Sequence, residues 1–299
     1  MKISVCIPVF NFDVSNLVSD LKCEIEKSNL DADIILIDDA SNKEFRDKNK
    51  QLISPNCYYI QLDKNLGRSK IRNLFLNYIA TEYLLFLDCD CEIIKANFIQ
   101  NYLDFIRVNP LAEVVYGGRI LPKETPESQY LLRWKFAQQR ENLNLQARKS
   151  KPWLSFQTNN FLIKKNLFKK HQFDENFNTY GYEDLLFALN LKTENIKIHH
   201  FENSVLNIDL ETNTRYLKKV EESMATLAEM LQSPKSAKMA SEIKVAKAHS
   251  FLKKYGLKTI FKHIFKSQKT KLKNTLLNNP QSLRSLDFYK LGLLCENLK

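Results

Sequence analysis

The chain has 299 residues, 44% hydrophobic and 26% charged, with a formal charge of +11. This is globular material for one large domain with an appendage or for two domains, and no apolar run is long enough for a membrane span. The six cysteines form no C-x-x-C pair and the five histidines no zinc-ligand spacing, which sets aside zinc modules and disulfide frameworks and reads as free thiols in a reducing cytosol.

The charge is uneven. Residues 233–299 hold fifteen of the Lys/Arg and three of the Asp/Glu, so this tail carries +12 and residues 1–232 carry −1. That division predicts a body over 1–232 and a basic helical C-terminal region over 233–299, with Ser233-Pro234 at the boundary.

In chain order, Ile3 to Val9 is a continuous apolar strand. Pro8, the lack of a small-residue cleavage site, and Asn11 and Asp13 just beyond argue against a signal peptide there. Leu17, Leu21 and Ile25 give Asp13 to Lys27 a helical period. Strands follow at Asp33 to Ile37, ending on Asp38-Asp39, and at Cys57 to Leu62, before the Asn65-Leu66-Gly67 turn. A helix is expected from Ser69 to Ala80, then the strand Tyr83 to Leu87 and the acids Asp88-Cys89-Asp90. Apolar strands separated by helices predict a parallel sheet covered on both faces. Right-handed crossovers bring the carboxyl ends of its strands to one edge, which collects Pro8 to Asn11, Asp38-Asp39, Asn65 to Arg68 and Asp88-Asp90. Downstream we expect a strand at Glu113 to Gly118, one long helix over Glu127 to Arg148 and a strand ending at Lys164. After these come a helix opening at Gly181-Tyr182-Glu183-Asp184, short strands near Ile196 to His200 and Ser204 to Ile208, and a helix from Thr214 to Leu231.

Asp88 and Asp90 carry the most information. Burying unpaired charge is expensive, so two carboxylates directly after an apolar strand are not a packing device. At a sheet's open edge, side chains at i and i+2 point the same way and can hold a divalent cation with the phosphates of a ligand. D-x-D alone is common in surface loops; four polar and acidic turns on one rim are not. Only six glycines occur, with no G-x-G-x-x-G, P-loop, G-x-S-x-G or H-E-x-x-H.

In order and spacing, Ser4 to Asn11 (SVCIPVFN), Asp33 to Ser41 (DIILIDDAS), Asn65 to Asn73 (NLGRSKIRN), the D-x-D, and Phe173-Asp174-Glu175 followed by Glu183-Asp184 resemble the family 2 glycosyltransferases over about residues 1–230. The likeness extends to bacterial members that build surface polysaccharides. It implies an α/β fold of GT-A type, a Rossmann-like mixed sheet flanked by helices. It also implies roles: Pro8, Val9, Asn11, Asp38 and Asp39 cradle the nucleoside, and Arg68 and Arg72 lie near the nucleotide. Asp88 contacts the ribose or the metal's hydration shell, and Asp90 ligates Mg²⁺ or Mn²⁺. Asp184 is the general base, with Glu183 supporting it. One departure concerns the metal: where the family often has a histidine, this chain has Asn207, a weaker ligand for the softer ion.

The expected partners are a nucleotide-sugar donor, with UDP as the nucleotide, and a glycan or lipid-linked acceptor; nucleic acid is not expected. In the tail, Leu257, Ile260, Phe261, Ile264 and Phe265 form an apolar helical stripe among Lys258, Lys262, Lys266, Lys269 and Lys273. Over residues 257–273 this helix either lies on an anionic membrane surface, at the inner face of the cytoplasmic membrane, or packs on the protein. The competing functions are a sugar nucleotidyltransferase, against which the glycine-free turn after the first strand counts, and a non-catalytic basic protein on a degenerate transferase fold.

Overall fold

The computed structural model describes residues 2–177, 181–280 and 282–298. Its strands are β1 (Ile3–Val9), β2 (Ala32–Asp38), β3 (Cys57–Gln61), β4 (Tyr83–Leu87), β5 (Cys91–Glu92), β6 (Val114–Tyr116), β7 (Arg119–Ile120), β8 (Asn160–Lys164), β9 (Ile198–His200) and β10 (Val205–Asn207). A seven-stranded sheet runs β3-β2-β1-β4-β8-β6-β9, and a three-stranded sheet runs β5-β10-β7. β1 to β4 are mutually parallel, while β8 is antiparallel to both β4 and β6. The main sheet is therefore mixed, as expected. The order reverses at β1, so the ends of β2 and β4 flank the end of β1, the usual place for a ligand in such sheets.

The helices are α1 (Ser15–Lys27), α2 (Lys43–Lys50), α3 (Arg68–Leu74), α4 (Phe98–Val108), α5 (Leu131–Phe136), α6 (Leu145–Ser150), α7 (Lys165–Lys170) and α8 (Glu183–Thr193). They continue with α9 (Asn213–Gln232), α10 (Ala237–Ala240), α11 (Lys244–Lys254), α12 (Lys258–Asn278) and α13 (Leu283–Asn297).

Alternation along the central strands builds two cores. Ile3, Val5, Ile7 and Val9 of β1, with Leu85 and Leu87 of β4, pack with α1 and α4 on one face. Cys6, Leu84 and Phe86 turn to the other face, where they meet Ile71, Phe75, Phe161, Phe168, Phe173 and Phe187. Phe173 stacks on Phe187 at 4.3 Å between ring centroids.

The chain forms two compact units, and they are not divided by a single cut after residue 232. The first holds 1–122, 142–175 and 187–209; the second holds 123–141, 176–186 and 210–299. The physical reason is the second unit's own core, where Leu132, Leu186, Tyr216, Leu227, Phe265, Leu286 and Tyr289 are all buried together. The basic tail thus joins upstream segments in one helical body. Gly292 permits part of this packing, because a β-carbon there would fall 2.1 Å from the Phe265 ring.

Two expectations are corrected. The single helix over Glu127 to Arg148 is broken into a 3₁₀ turn (Ser128–Tyr130), α5, a π-helical turn (Ala137–Glu141) and α6. The Asn144 side chain caps α6 by accepting from the Ala147 amide, so a new helix starts where periodicity suggested continuation. In the tail, the apolar stripe of α12 is divided: Phe265 is fully buried and Phe261 packs beside Phe288, while Leu257, Ile260 and Ile264 are exposed. Lys269 and Lys273 pair with Glu296 and Glu221 of the same unit.

Candidate active site

Within the first unit, the ends of β1 and β2 are tied by backbone and short side chains. The Asp39 amide donates to the Val9 carbonyl at 2.8 Å, the Asn11 amide to the Ser41 hydroxyl at 2.8 Å, and the Asn42 amide to Asn11 Oδ1 at 2.7 Å. Two non-glycine residues here sit at positive φ, Asn11 at 50° and Ala40 at 61°. Such strain persists only where surrounding bonds over-determine it. Val9 sends its side chain into the core, so it meets the rim through its backbone alone; Pro8 is half-buried and Phe10 is exposed.

The two aspartates after β2 act on the loops around them. Asp38 is fully buried, and its oxygens accept from the Ser41 amide at 2.7 Å and the Tyr59 hydroxyl at 2.9 Å. Asp39 accepts from the Leu66 amide at 2.6 Å and the Gly67 amide at 3.0 Å. Gly67, at φ +80°, turns its N–H toward that carboxylate in a conformation L-residues resist. Burial pushes Asp39 above the usual carboxylate range, against the lowering effect of the two amides.

Beside β4, Arg72 is buried and donates from Nη2 to Asp88 Oδ1 at 2.6 Å and from Nη1 to the Arg68 carbonyl at 3.1 Å. Its guanidinium lies 5.9 Å from the Phe173 ring centroid. Arg68 itself is exposed at the start of α3. Desolvation, then the neighbouring Asp88 charge, pushes Asp90 up to about 6, opposed by Asn207 and Arg119. Asn207 donates from Nδ2 to Asp90 Oδ2 at 2.7 Å, so its amide nitrogen, not its oxygen, faces the carboxylate. Asn207 therefore orients Asp90 here, and would have to turn over to serve as a metal ligand.

The small sheet explains this convergence. Asn207 on β10 pairs in register with Cys91 on β5, directly after Asp90, and Leu206 pairs with Ile120, next to Arg119 on β7. Sequence reasoning singled out neither Arg119 nor Asp209, which also acts on Asp90; strands of two or three residues leave no period to read. It also passed over Asn159. That residue's carbonyl accepts from the Asp88 amide at 3.2 Å, while both polar atoms of its buried side chain lack a hydrogen-bond partner, as does Arg72 Nε. Unsatisfied buried polar groups are uncommon, and two at one sheet edge, an amide and a guanidinium, fit a polar ligand. Cys89 and Cys91 are free thiols, both raised by burial, in keeping with a packing role.

His200 does not serve the site. It is buried on β9 against Tyr116, with Nε2 2.9 Å from the Pro152 carbonyl, and burial lowers it to about 4.

Glu183 and Asp184 open α8 in the second unit. Glu183 accepts from the Gly181 amide at 3.1 Å and Asp184 from the Leu185 amide at 2.7 Å. The preceding turn has Gly181 at φ +110° and Tyr182 at +67°, a second strained segment.

A divalent cation suits the acids of the first unit. The charge of Asp88 adds to burial in raising Asp90, which a cation would relieve. Among the described residues no group of three His, Cys, Asp or Glu could hold a metal, so its other ligands would come from phosphate and water, the ordinary habit of Mg²⁺.

Parallel strands that deliver paired carboxylates and a buried arginine to the reversal point of a mixed sheet define a GT-A-type glycosyltransferase domain. The profile of Glycosyl transferase family 2 matches residues 4–172, more than half the chain; this protein belongs to that family and is a transferase. No curated protein sequence matches it. Among solved structures it is similar to the mannosyltransferase PcManGT from Pyrobaculum calidifontis, determined with GDP-Man and Mn²⁺ (12% identity, TM-score 0.60, 99% of this chain and 86% of that one). It is also similar to S. aureus TarS (18% identity, TM-score 0.52), covering 82% of this chain but only 43% of that longer one. TarS residues 1–349 in complex with UDP match at TM-score 0.51 over 99% of this chain and 89% of that one. At these identities the structural likeness shows the fold.

Proposed function

We propose that this transferase moves a sugar from a nucleotide diphosphate, with UDP as the nucleotide, to a hydroxyl of a glycan or lipid-linked acceptor in surface-polysaccharide assembly, inverting the anomeric centre. The observation that carries this reading is the Asp88–Asp90 pair, one acid bound by Arg72 and the other half-buried, raised by desolvation and then by its neighbour. The TarS complex with UDP supports the nucleotide, and the GDP-Man and Mn²⁺ complex of the mannosyltransferase supports a metal. Pro8, Asn11 and Asp39 border the nucleoside, with the exposed ring of Phe10 available to a base. Asp38 braces that border through Ser41 and Tyr59, and Arg68 and Arg72 face the diphosphate.

In the proposed reaction the acceptor oxygen bonds to C1 of the donor sugar as the C1–O bond to the diphosphate breaks. The acceptor proton passes to the Asp184 carboxylate, and the nucleoside diphosphate leaves with the bonding pair. The positive end of α8 suits a carboxylate at Asp184, and Glu183 accepts from the Gly181 amide in the turn that presents it. Attack opposite the leaving group inverts C1 in one displacement. Asp90 and Asp88 would hold Mg²⁺ or Mn²⁺, which when bound neutralises charge on the departing diphosphate.

Among the described residues no helix is long and apolar enough to cross a membrane. The exposed apolar residues of α12 and its lysines support peripheral attachment at the cytoplasmic membrane face. The test is donor turnover with a panel of UDP-sugars and Mn²⁺. Asp90→Ala and Asp184→Asn should each lose about 10²-fold or more while melting cooperatively. Turnover surviving in both folded variants would end the assignment.

A further inference from the structure

The second unit contains a cavity of about 480 Å³ that none of the chemistry above uses. Its walls come from the π-helical turn after α5, from α11 and from α13, with Tyr182 adjoining them. The lining is chiefly apolar, through Phe136, Ile243, Phe288 and Leu291, yet it carries four cations, Arg140, Lys244, Arg284 and Lys290, against one carboxylate, Asp287. Arg140 Nη2 holds that carboxylate at 3.1 Å, and the Lys290 ammonium sits 4.2 Å from the centroid of the Phe136 ring. Among the lining residues three positive charges remain in excess over an apolar floor, with Glu141, paired to Arg133, acting on Lys290 from outside the lining.

The face of α11 that walls the cavity does not stop there. Lys244 and Ala248 are followed on the same stripe by Phe251 and Tyr255, spaced four, three and four residues apart. Phe251 and Tyr255 are 56% and 58% exposed, with their rings 4.6 Å apart. An aromatic track open to solvent thus leads along one helix to a cationic, apolar hollow.

We propose that this cavity binds the acceptor as an anionic amphiphile, an apolar chain bearing a phosphate or pyrophosphate, the chain lying along Phe251 and Tyr255. The role as acceptor site rests on the transferase reading; the binding itself does not. Two arguments select the ligand. A cluster of Arg and Lys in excess of acids suits a multiply charged phosphate, which a guanidinium meets with two parallel hydrogen bonds, better than a neutral glycan. An apolar lining with few polar groups suits a hydrocarbon chain better than a sugar ring. Burial lowers Lys290 to about 8, so its ammonium is still the main form at neutral pH, and a bound anion would favour it further. The cavity wall reaches the turn that leads into α8: Tyr182, which lines it, immediately precedes Glu183 and Asp184 in the chain.

The test is direct binding to the full chain, followed by tryptophan fluorescence or calorimetry, with dodecyl phosphate below its micelle concentration. Dodecanol, inorganic phosphate and anionic phospholipid vesicles serve as the comparison probes. Saturable binding of dodecyl phosphate is expected. Lys244→Gln with Arg284→Gln, both exposed positions, should weaken it by about tenfold or more, equivalent to about 1.4 kcal/mol. Ala248→Trp, filling the cavity, should abolish it in a protein that still melts cooperatively. Asp90→Asn should bind the probe as the wild type does, which separates failure of this site from failure of the sugar-transfer reading. Equal binding of dodecanol or of inorganic phosphate, an unchanged affinity in the double variant, or association with vesicles but not with the monomeric probe would each overturn the proposal.

Discussion

Arg72 reaches Asp88 across 2.6 Å from a position that is itself buried, whereas Asp88 remains about one-third exposed. The pair is asymmetric: the cation is only 5% exposed and depends on its partner, while the acid keeps a free side toward the rim. Arg72→Met should therefore cost stability, on the order of 2 kcal/mol after allowance for the exposure of Asp88, by removing a buried charge-assisted bond and the Arg68 carbonyl contact. Urea unfolding measures the loss. Nucleotide-sugar affinity should fall about tenfold in the same variant, because Asp88 loses its fixed orientation.

Ala40 occupies the left-handed region at φ 61°, where an L side chain costs roughly 1–2 kcal/mol. Ala40→Gly should raise the unfolding free energy by about 1 kcal/mol with donor turnover unchanged, since the residue makes its contribution through the main chain. A lower melting midpoint would show that this loop is not strained.

Asp90 is held in its ionised form against desolvation and against Asp88. Removing that charge relieves both, so Asp90→Asn should melt higher than the wild type in the absence of metal. Added Mn²⁺ should raise the midpoint of the wild type only, because a ligand that selects the native state stabilises it. Identical shifts in both proteins would remove Asp90 from the metal site.

Alongside His199 and His249, which burial also lowers, His200 contributes to the acid limit of stability. Its pKa is about 4 when folded against an ordinary 6.5, so below pH 6.5 the unfolded chain takes up a proton that the folded one refuses. Native stability is intact above pH 6.5 and declines as the pH falls toward 4, by about 2 kcal/mol at pH 4.5. Urea midpoints between pH 7.5 and 4.5 should drop more steeply for the wild type than for His200→Gln. Parallel slopes would place the acid sensitivity elsewhere.

Much of this organisation is legible in the chain itself. β1, β2 and β4 fall where continuous apolar runs put them, since strands buried on both faces permit few polar residues. The rim acids follow because charge cannot continue into such a strand. Other features are hidden for equally physical reasons. β5 and β7 are too short for a period, yet one follows Asp90 directly and the other carries Arg119, whereas β10 with Asn207 falls inside the strand expected at Ser204 to Ile208. Asn159 resembles any loop amide until its missing partners are seen. The π-helical turn at Ala137–Glu141 interrupts a stretch whose composition favours an unbroken helix.

Sequence alone determined the family, the parallel core and the identity of the acids, because those rest on local patterns of burial and spacing. Tertiary structure decided what each side chain does there. It gave Asp38 to a loop brace and Asp88 to Arg72, turned the Asn207 amide toward Asp90, divided the α12 stripe between core and solvent, and gathered four cations around an apolar hollow. Those outcomes depend on contacts between residues distant along the chain, which no local pattern encodes.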